Sequence, residues 1–317
     1  MKPVAEKSPA VAVIDIGSNS IKVLVAARDA SGRIRSLLGK TVEARISAGI
    51  SAGTPRLGEE GMARGLAAIR ELLADAAPLA PARTLLVATS AVRDAANGPE
   101  FRAGVENATG HSIRLLSGEE EANLIGRGLT TDPKLAGWQD FLVFDLGGGS
   151  LECLLFHQRR IRQAVSLQLG CVRLTERFIR DRTAPLVEAE AVALALHVRA
   201  ELKRSGFHFP VKTPPAVFTG GSMTTVRVLR AALHGQLLAD TAAIVGVDTV
   251  ARLLDDLAPL TLDQRKAVPG MPAARADVLP AALATMLAVA NYAQVDRFHH
   301  SLHNLRWGLA TELLDQA

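Results

Sequence analysis

Val13-Ile14-Asp15-Ile16-Gly17-Ser18-Asn19-Ser20-Ile21-Lys22-Val23-Leu24-Val25 decides the fold of this 317-residue chain. Two β-rich apolar runs, 10–16 and 21–27, flank the short polar segment 17–20, and that pattern predicts a hairpin with a tight turn. The pattern returns 130 residues later. Phe141–Asp145 predicts a strand, 146–150 a glycine turn (Leu146-Gly147-Gly148-Gly149-Ser150), and Leu151–Phe156 the returning strand. Each turn follows an apolar strand, begins at an Asp and ends at a Ser.

The elements around each hairpin repeat as well. After the first, 33–45 predicts a third strand and 58–77 a helix of regular apolar spacing stopped by Pro78. Thr84–Ala88 predicts a strand, leading into a helix that starts near Thr89 and Ser90 and runs towards Thr109. Ser112–Leu116 predicts another strand. Ser117 and Glu120 have capping-box spacing, so a helix is expected over Gly118–Leu129. After the second hairpin come a third strand, Arg160–Leu167, and helices over 172–182 and 187–205. A strand at 216–218 then leads into Thr219-Gly220-Gly221-Ser222. The remainder reads as mostly helical, most clearly over 277–293. One unit of meander, helix, strand and helix therefore occurs twice, which predicts a duplicated α/β domain with a cleft between the copies.

Composition narrows the function classes. Apolar residues make up 48%, enough for a full core, and the net charge of +4 is small for the length. Aromatics at 4% leave few stacking platforms, and no nucleic-acid-binding signature is present, so no nucleic-acid partner is expected. Cys153 and Cys171 lie outside any CxxC or Cys/His pattern, as expected of thiols in a reducing compartment. The first ten residues are polar and precede no apolar signal core. The longest apolar stretch, 278–290, is too short to span a bilayer. A cytoplasmic protein without a membrane partner is expected.

Turns rich in Gly, Ser and Asn can aim several backbone N–H groups at one phosphate. Glycine permits the φ values and the close approach required. Gly147, Gly148 and Gly149 supply backbone donors, while Ser18, Asn19, Ser20 and Ser150 add side-chain donors. Either turn alone reads as an ordinary hairpin; as a pair at matching points of a repeat they predict a grip on a polyphosphate from two sides. Gly220, Gly221 and Ser222 open a helix whose dipole favours an anion. The Glu119-Glu120-Glu121 run fits a helix N-terminus, and that reading leaves Glu121 free to face a cleft. His299, His300 and His303 read as polar surface or domain-junction residues rather than metal ligands, and the Met residues and Cys153 as core.

Seven segments together carry a resemblance: VIDIGSNSIKVLV at 13–25, ATSAVRDAAN at 88–97, SGEEEANLIGRGL at 117–129, FDLGGGSLE at 144–152, LQLGCVRLTERF at 167–178, TGGSMTTV at 219–226 and, less closely, RADVLPAA at 275–282. In order and spacing they resemble the exopolyphosphatase / guanosine pentaphosphate phosphohydrolase (Ppx/GppA) family, in its short two-domain form. The resemblance implies two ribonuclease-H-like domains of the actin-like ATPase superfamily, with the active site in the interdomain cleft. The expected domains are residues 1–124 plus 303–317, and 125–302.

What the resemblance implies can be placed residue by residue. Glu121 matches the carboxylate that activates the attacking water. Asp145 and Glu152, at opposite ends of the glycine turn, match the family's metal-binding carboxylates, with Mg2+ or Mn2+ as cofactor. Arg93 matches an arginine near the phosphate, and Arg275 is a second such candidate; a planar guanidinium can hold two phosphate oxygens. The activity implied is hydrolysis of the terminal phosphate of inorganic polyphosphate. The alternatives are the 5′-phosphate of guanosine pentaphosphate, or a non-catalytic sensor of either ligand. A kinase ranks lower, since no sugar-kinase specificity motif is present. Oligomeric state, a homodimer included, is left open. The chain departs from the family pattern at Leu151, at Pro280-Ala281-Ala282 and at Trp307, and these departures bear on substrate preference.

Overall fold

The computed structural model describes residues 9–50 and 54–316; the polar opening segment 1–8 lies outside them. The chain forms β1 (Val11–Ile16), β2 (Ile21–Arg28), β3 (Ile34–Val42), α1 (Glu59–Ala76), β4 (Arg83–Ala88), α2 (Ser90–Asp94), α3 (Gly98–Thr109), β5 (Ile113–Leu115) and α4 (Gly118–Leu129). The second half forms β6 (Phe141–Leu146), β7 (Leu151–His157), β8 (Arg160–Leu167), α5 (Cys171–Phe178), α6 (Glu188–Arg204), β9 (Ala216–Thr219), α7 (Gly221–Leu233), β10 (Ile244–Gly246), α8 (Val247–Leu257), α9 (Leu262–Ala267), α10 (Leu279–Ala293), β11 (Arg297–His300) and α11 (Leu305–Asp315).

The predicted repeat is present in the sheets. The first runs β3-β2-β1-β4-β5, and the second runs β8-β7-β6-β9-β11-β10. In each, an antiparallel meander is continued by parallel strands from the next βα units. Only β10, an antiparallel edge strand on β11, has no counterpart. This is the duplicated ribonuclease-H-like architecture that the sequence implied.

Strands β1 and β6 are buried along their whole length, which accounts for their unbroken apolar character. One face of the first sheet packs on α1 and α3. The other shares a core with α4, α11 and the second sheet, through Val13, Leu24, Leu309 and Val143 among others. Helices α4 and α11 cross at glycines. A Cβ on Gly128 would lie 2.1 Å from the Asn304 carbonyl oxygen, and one on Gly308 would lie 1.9 Å from that of Leu124. No helix of the described residues is long and apolar enough to cross a membrane.

Some sequence expectations are corrected and others refined. The helix expected from Thr89 to Thr109 is two helices, broken where Ala96 donates to the Pro55 carbonyl and Asn97 pairs with both backbone groups of Leu57 (2.8 and 2.9 Å). Thr89 occupies the N-cap without a side-chain capping bond. The helix expected over 172–182 ends at Phe178, ahead of a turn in which Asp181 accepts from the Thr183 N–H. The C-terminal region is mostly helical as expected, with two strands, β10 and β11, too short for their pattern to stand out. Because β11 is interior to the sheet, His300 is buried rather than on the surface. Its Nδ1 meets Arg227 Nη1 at 3.0 Å and its Nε2 meets Thr224 Oγ1 at 3.3 Å.

Candidate active site

The two hairpin turns close identically, with Gly17 donating to the Ser20 carbonyl (3.2 Å) and Gly147 to that of Ser150 (3.0 Å). They meet turn against turn. A Cβ on Gly148 would stand 2.8 Å from Ser18 Cβ, and one on Gly149 would stand 2.2 Å from Ser90 Oγ. None of these turn glycines takes a positive φ. The φ freedom expected of them is therefore not what the fold uses; at Gly148 and Gly149 glycine is required by close approach of the opposite lobe. Gly220 differs, with φ of +97° and no room for a Cβ beside Asp145 Oδ1 and the Leu146 carbonyl.

Around these turns lies a cleft that gathers nearly all the expected residues. Ser18, Asn19, Ser20, Glu121, Asp145, the glycines 147–149, Ser150, Glu152, Gly220, Gly221 and Arg275 all line it. Two expected phosphate ligands do not. Arg93 turns its Nη1 to the Leu116 carbonyl (2.9 Å) and to Glu121 Oε2 (3.2 Å). Ser222 is buried with its hydroxyl 3.9 Å from Cys171 Sγ. Arg275 is held by Glu43 Oε1 at 3.2 Å, a contact between lobes. Two further pairs cross in the same way: Arg45 to Asp277 (2.7 Å) and Arg173 to Asp94 (2.7 Å).

The carboxylates are placed by the elements predicted to carry them. Ser117 and Glu120 complete the capping box of α4, so Glu120 is used for the cap and Glu121, one residue on, is buried in the cleft. Asp145 and Glu152 are cross-strand partners of β6 and β7. Glu152 accepts from Ser166 Oγ at 2.7 Å.

Crowding of buried acids raises their pKa values. Burial, then repulsion from Glu152, pushes Glu121 well above the usual range, with Arg93 opposing. Asp145 rises to about 6, chiefly through burial, with Lys22 the largest opposing influence. Glu152 rises to about 7 through burial and the charge of Asp145.

Several cleft residues escaped the sequence reading. Asp15, by its sequence only the start of a turn, is buried in the cleft with its pKa raised by burial. Lys22, its cross-strand partner, also lines the cleft; a lysine inside the apolar run 21–27 was the available signal. Asn304 comes from the far end of the chain, and no local pattern marks it.

Among the described residues no group of three or more His, Cys, Asp or Glu side chains is arranged to hold a metal ion. What the cleft provides is a pair of adjacent buried carboxylates, Asp145 and Glu152, the first without a hydrogen-bond partner among the described residues. Such an all-oxygen pair suits a hard divalent cation that keeps most of its water and takes phosphate oxygens as further ligands.

Comparison with known proteins agrees with this geometry. The chain is 28% identical to the guanosine-5′-triphosphate,3′-diphosphate pyrophosphatase of Vibrio vulnificus, over 98% of this chain and 61% of that protein; it thus spans less than two thirds of that relative. In fold it is similar to an exopolyphosphatase from Cytophaga hutchinsonii, with a TM-score of 0.86 at 22% identity over 97% of this chain and 98% of that one. It is also similar to the Ppx-GppA enzyme of Aquifex aeolicus, with a TM-score of 0.77 at 24% identity over 97% and 99%. With the model of that family matched across residues 24–317, the chain belongs to the Ppx/GppA phosphatase family.

Proposed function

We propose that the protein is a metal-dependent exopolyphosphatase, removing the terminal phosphate of inorganic polyphosphate by direct attack of water. The observation that carries this reading is Glu121, a buried carboxylate in a cleft walled by two phosphate-binding turns and held by Arg93 at 3.2 Å. A carboxylate of raised pKa is a competent base near neutral pH. Glu121 would orient the water in line with phosphorus and take its proton. The turn N–H groups and Ser18, Ser20 and Ser150 would hold the terminal phosphate, and Arg275 would complete the grip. Asp145 and Glu152 would hold Mg2+ or Mn2+, which when bound neutralises phosphate oxygens as charge develops.

A second reading has its own support. The Vibrio vulnificus relative bears the name of a guanosine-5′-triphosphate,3′-diphosphate pyrophosphatase. Hydrolysis of guanosine pentaphosphate at its 5′ end would use the same catalytic groups. Phosphate release from short polyphosphate, long polyphosphate and guanosine pentaphosphate, each with Mg2+, separates the two. Binding without phosphate release under any divalent metal would sink both in favour of a sensor.

A further inference from the structure

Helix α6 is apolar on two opposite sides, and the fold covers only one of them. Leu194, Val198 and Leu202 are buried in the core of the second lobe. The other side carries Ala189, Val192, Ala193, Leu196 and Ala200, at helical spacings of three and four residues, and all five are exposed. Val192 is 51% exposed and Leu196 60%. With Val187 at the N-cap, three of the nine large exposed hydrophobics among the described residues fall within this one short stretch. A helix that is apolar all round belongs inside a protein, and a contiguous exposed apolar face marks a contact surface.

The charges at the two ends of this face specify the partner. Glu188 lies at its start, in the first turn of α6, and Lys203 at its end, in the last turn. Both are exposed, and neither makes an ion pair or side-chain hydrogen bond among the described residues. A face that is acidic at one end and basic at the other is complementary to itself when two copies run antiparallel, an orientation that helix dipoles also favour. A lipid surface fits less well. Membrane-seated helices present Trp, Phe or Leu in number, whereas three of these five residues are alanines and an acid stands at one end.

We propose that the outer face of α6 is the interface of a two-fold homodimer, occupied by α6 of a second copy of this chain. With the axis at Leu196, the two Leu196 side chains meet, Ala200 of each copy meets Val192 of the other, and Glu188 of each lies beside Lys203 of the other, about 12 Å from the axis. The alanines let the two backbones approach closely. The groove beside the helix, lined by Phe178, Pro185 and Val187 together with Ala189 and Ala193, extends the apolar contact. One helix pair covers less than a stable dimer buries, so the association is expected to be weak, with a Kd of about 10–100 μM. The inference does not depend on the reaction proposed above.

The test is sedimentation velocity of the full chain over a concentration series reaching about 300 μM, well above the expected Kd. The wild type should pass from monomer to dimer. Leu196→Asp, and separately Ala193→Glu, should weaken the dimer about tenfold or more; both positions are exposed, and an unchanged thermal melt shows that each variant folds. Glu188→Lys and Lys203→Glu should each weaken it, and the double variant should regain the wild-type Kd to within about threefold, because the reversed charges again face their opposites. A wild type that stays monomeric throughout overturns the proposal. Binding of that monomer to vesicles of anionic lipid, lost in Leu196→Asp, would give the face to a membrane instead. A dimer indifferent to Leu196→Asp and Ala193→Glu overturns the interface. Single reversals that weaken it without recovery in the double variant overturn the antiparallel pairing.

Discussion

Glu152 stands opposite Asp145 across β6 and β7 at the register where the first lobe sets Lys22 opposite Asp15 across β1 and β2. The repeat has kept its geometry and diverged in charge. One hairpin carries an acid–base pair and the other an acid–acid pair. The asymmetry puts two acids on one side of the cleft and an acid with a lysine on the other.

Glu121→Gln should leave the fold intact, because the cap of α4 is made by Ser117 and Glu120 and not by Glu121. Phosphate release should fall by about 10²–10⁴, with tripolyphosphate affinity retained. A variant that still turns over within threefold of the wild type would remove Glu121 from the chemistry.

Arg93 lowers the pKa of Glu121, against burial and Glu152, which raise it. Arg93→Met should therefore move the acid limb of the kcat–pH profile to higher pH, because the base form of Glu121 then needs a higher pH to appear. Arg93→Lys should restore part of the shift. An unmoved limb with only a raised KM would mean that the arginine serves substrate binding instead.

Metal-free protein should lose stability as pH rises. Asp145 at about 6 and Glu152 at about 7 lie above their ordinary values of 3.8 and 4.5, so the folded chain keeps protons that the unfolded chain has released. The loss should develop between about pH 4 and 7, flatten in Asp145→Asn, and be offset at pH 7 by added Mg2+. Thermal melts in EDTA across that range check the slope. A flat profile contradicts it.

Gly128→Ala and Gly308→Ala should each cost about 1–3 kcal/mol, because either methyl would press on a backbone carbonyl across the α4–α11 contact. Denaturant midpoints measure this. Gly149→Ala should behave differently. Its methyl meets Ser90 of the other lobe, so turnover should fall further than stability does.

The parts of this molecule that could be read from sequence are those set by neighbours in the chain. The hairpins, the capping box at Ser117 and the Asp145–Glu152 pairing depend on spacings of a few residues and came out as expected. Residues brought in over long distances could not be read. Asn304 reaches the cleft, and Arg306 the Val23 carbonyl of the first hairpin, from the residue before α11 and from α11 itself, some 280 residues further along the chain. The break at Asn97 is dictated by Leu57, not by its own segment. Glycine at 148 and 149 is not needed for its φ freedom, and the contact with Ser18 and Ser90 that does require it is visible only once the lobes are assembled.

The position of α11 also bears on how the protein is made. Leu309, Ala310 and Leu313 cover the apolar face formed by Val11, Val13 and Leu24. Strands β1 and β2 are made long before α11 and lack its cover on that face until residues 305–315 emerge. The packing of the first sheet on that face is complete only once the far end of the described chain has been made.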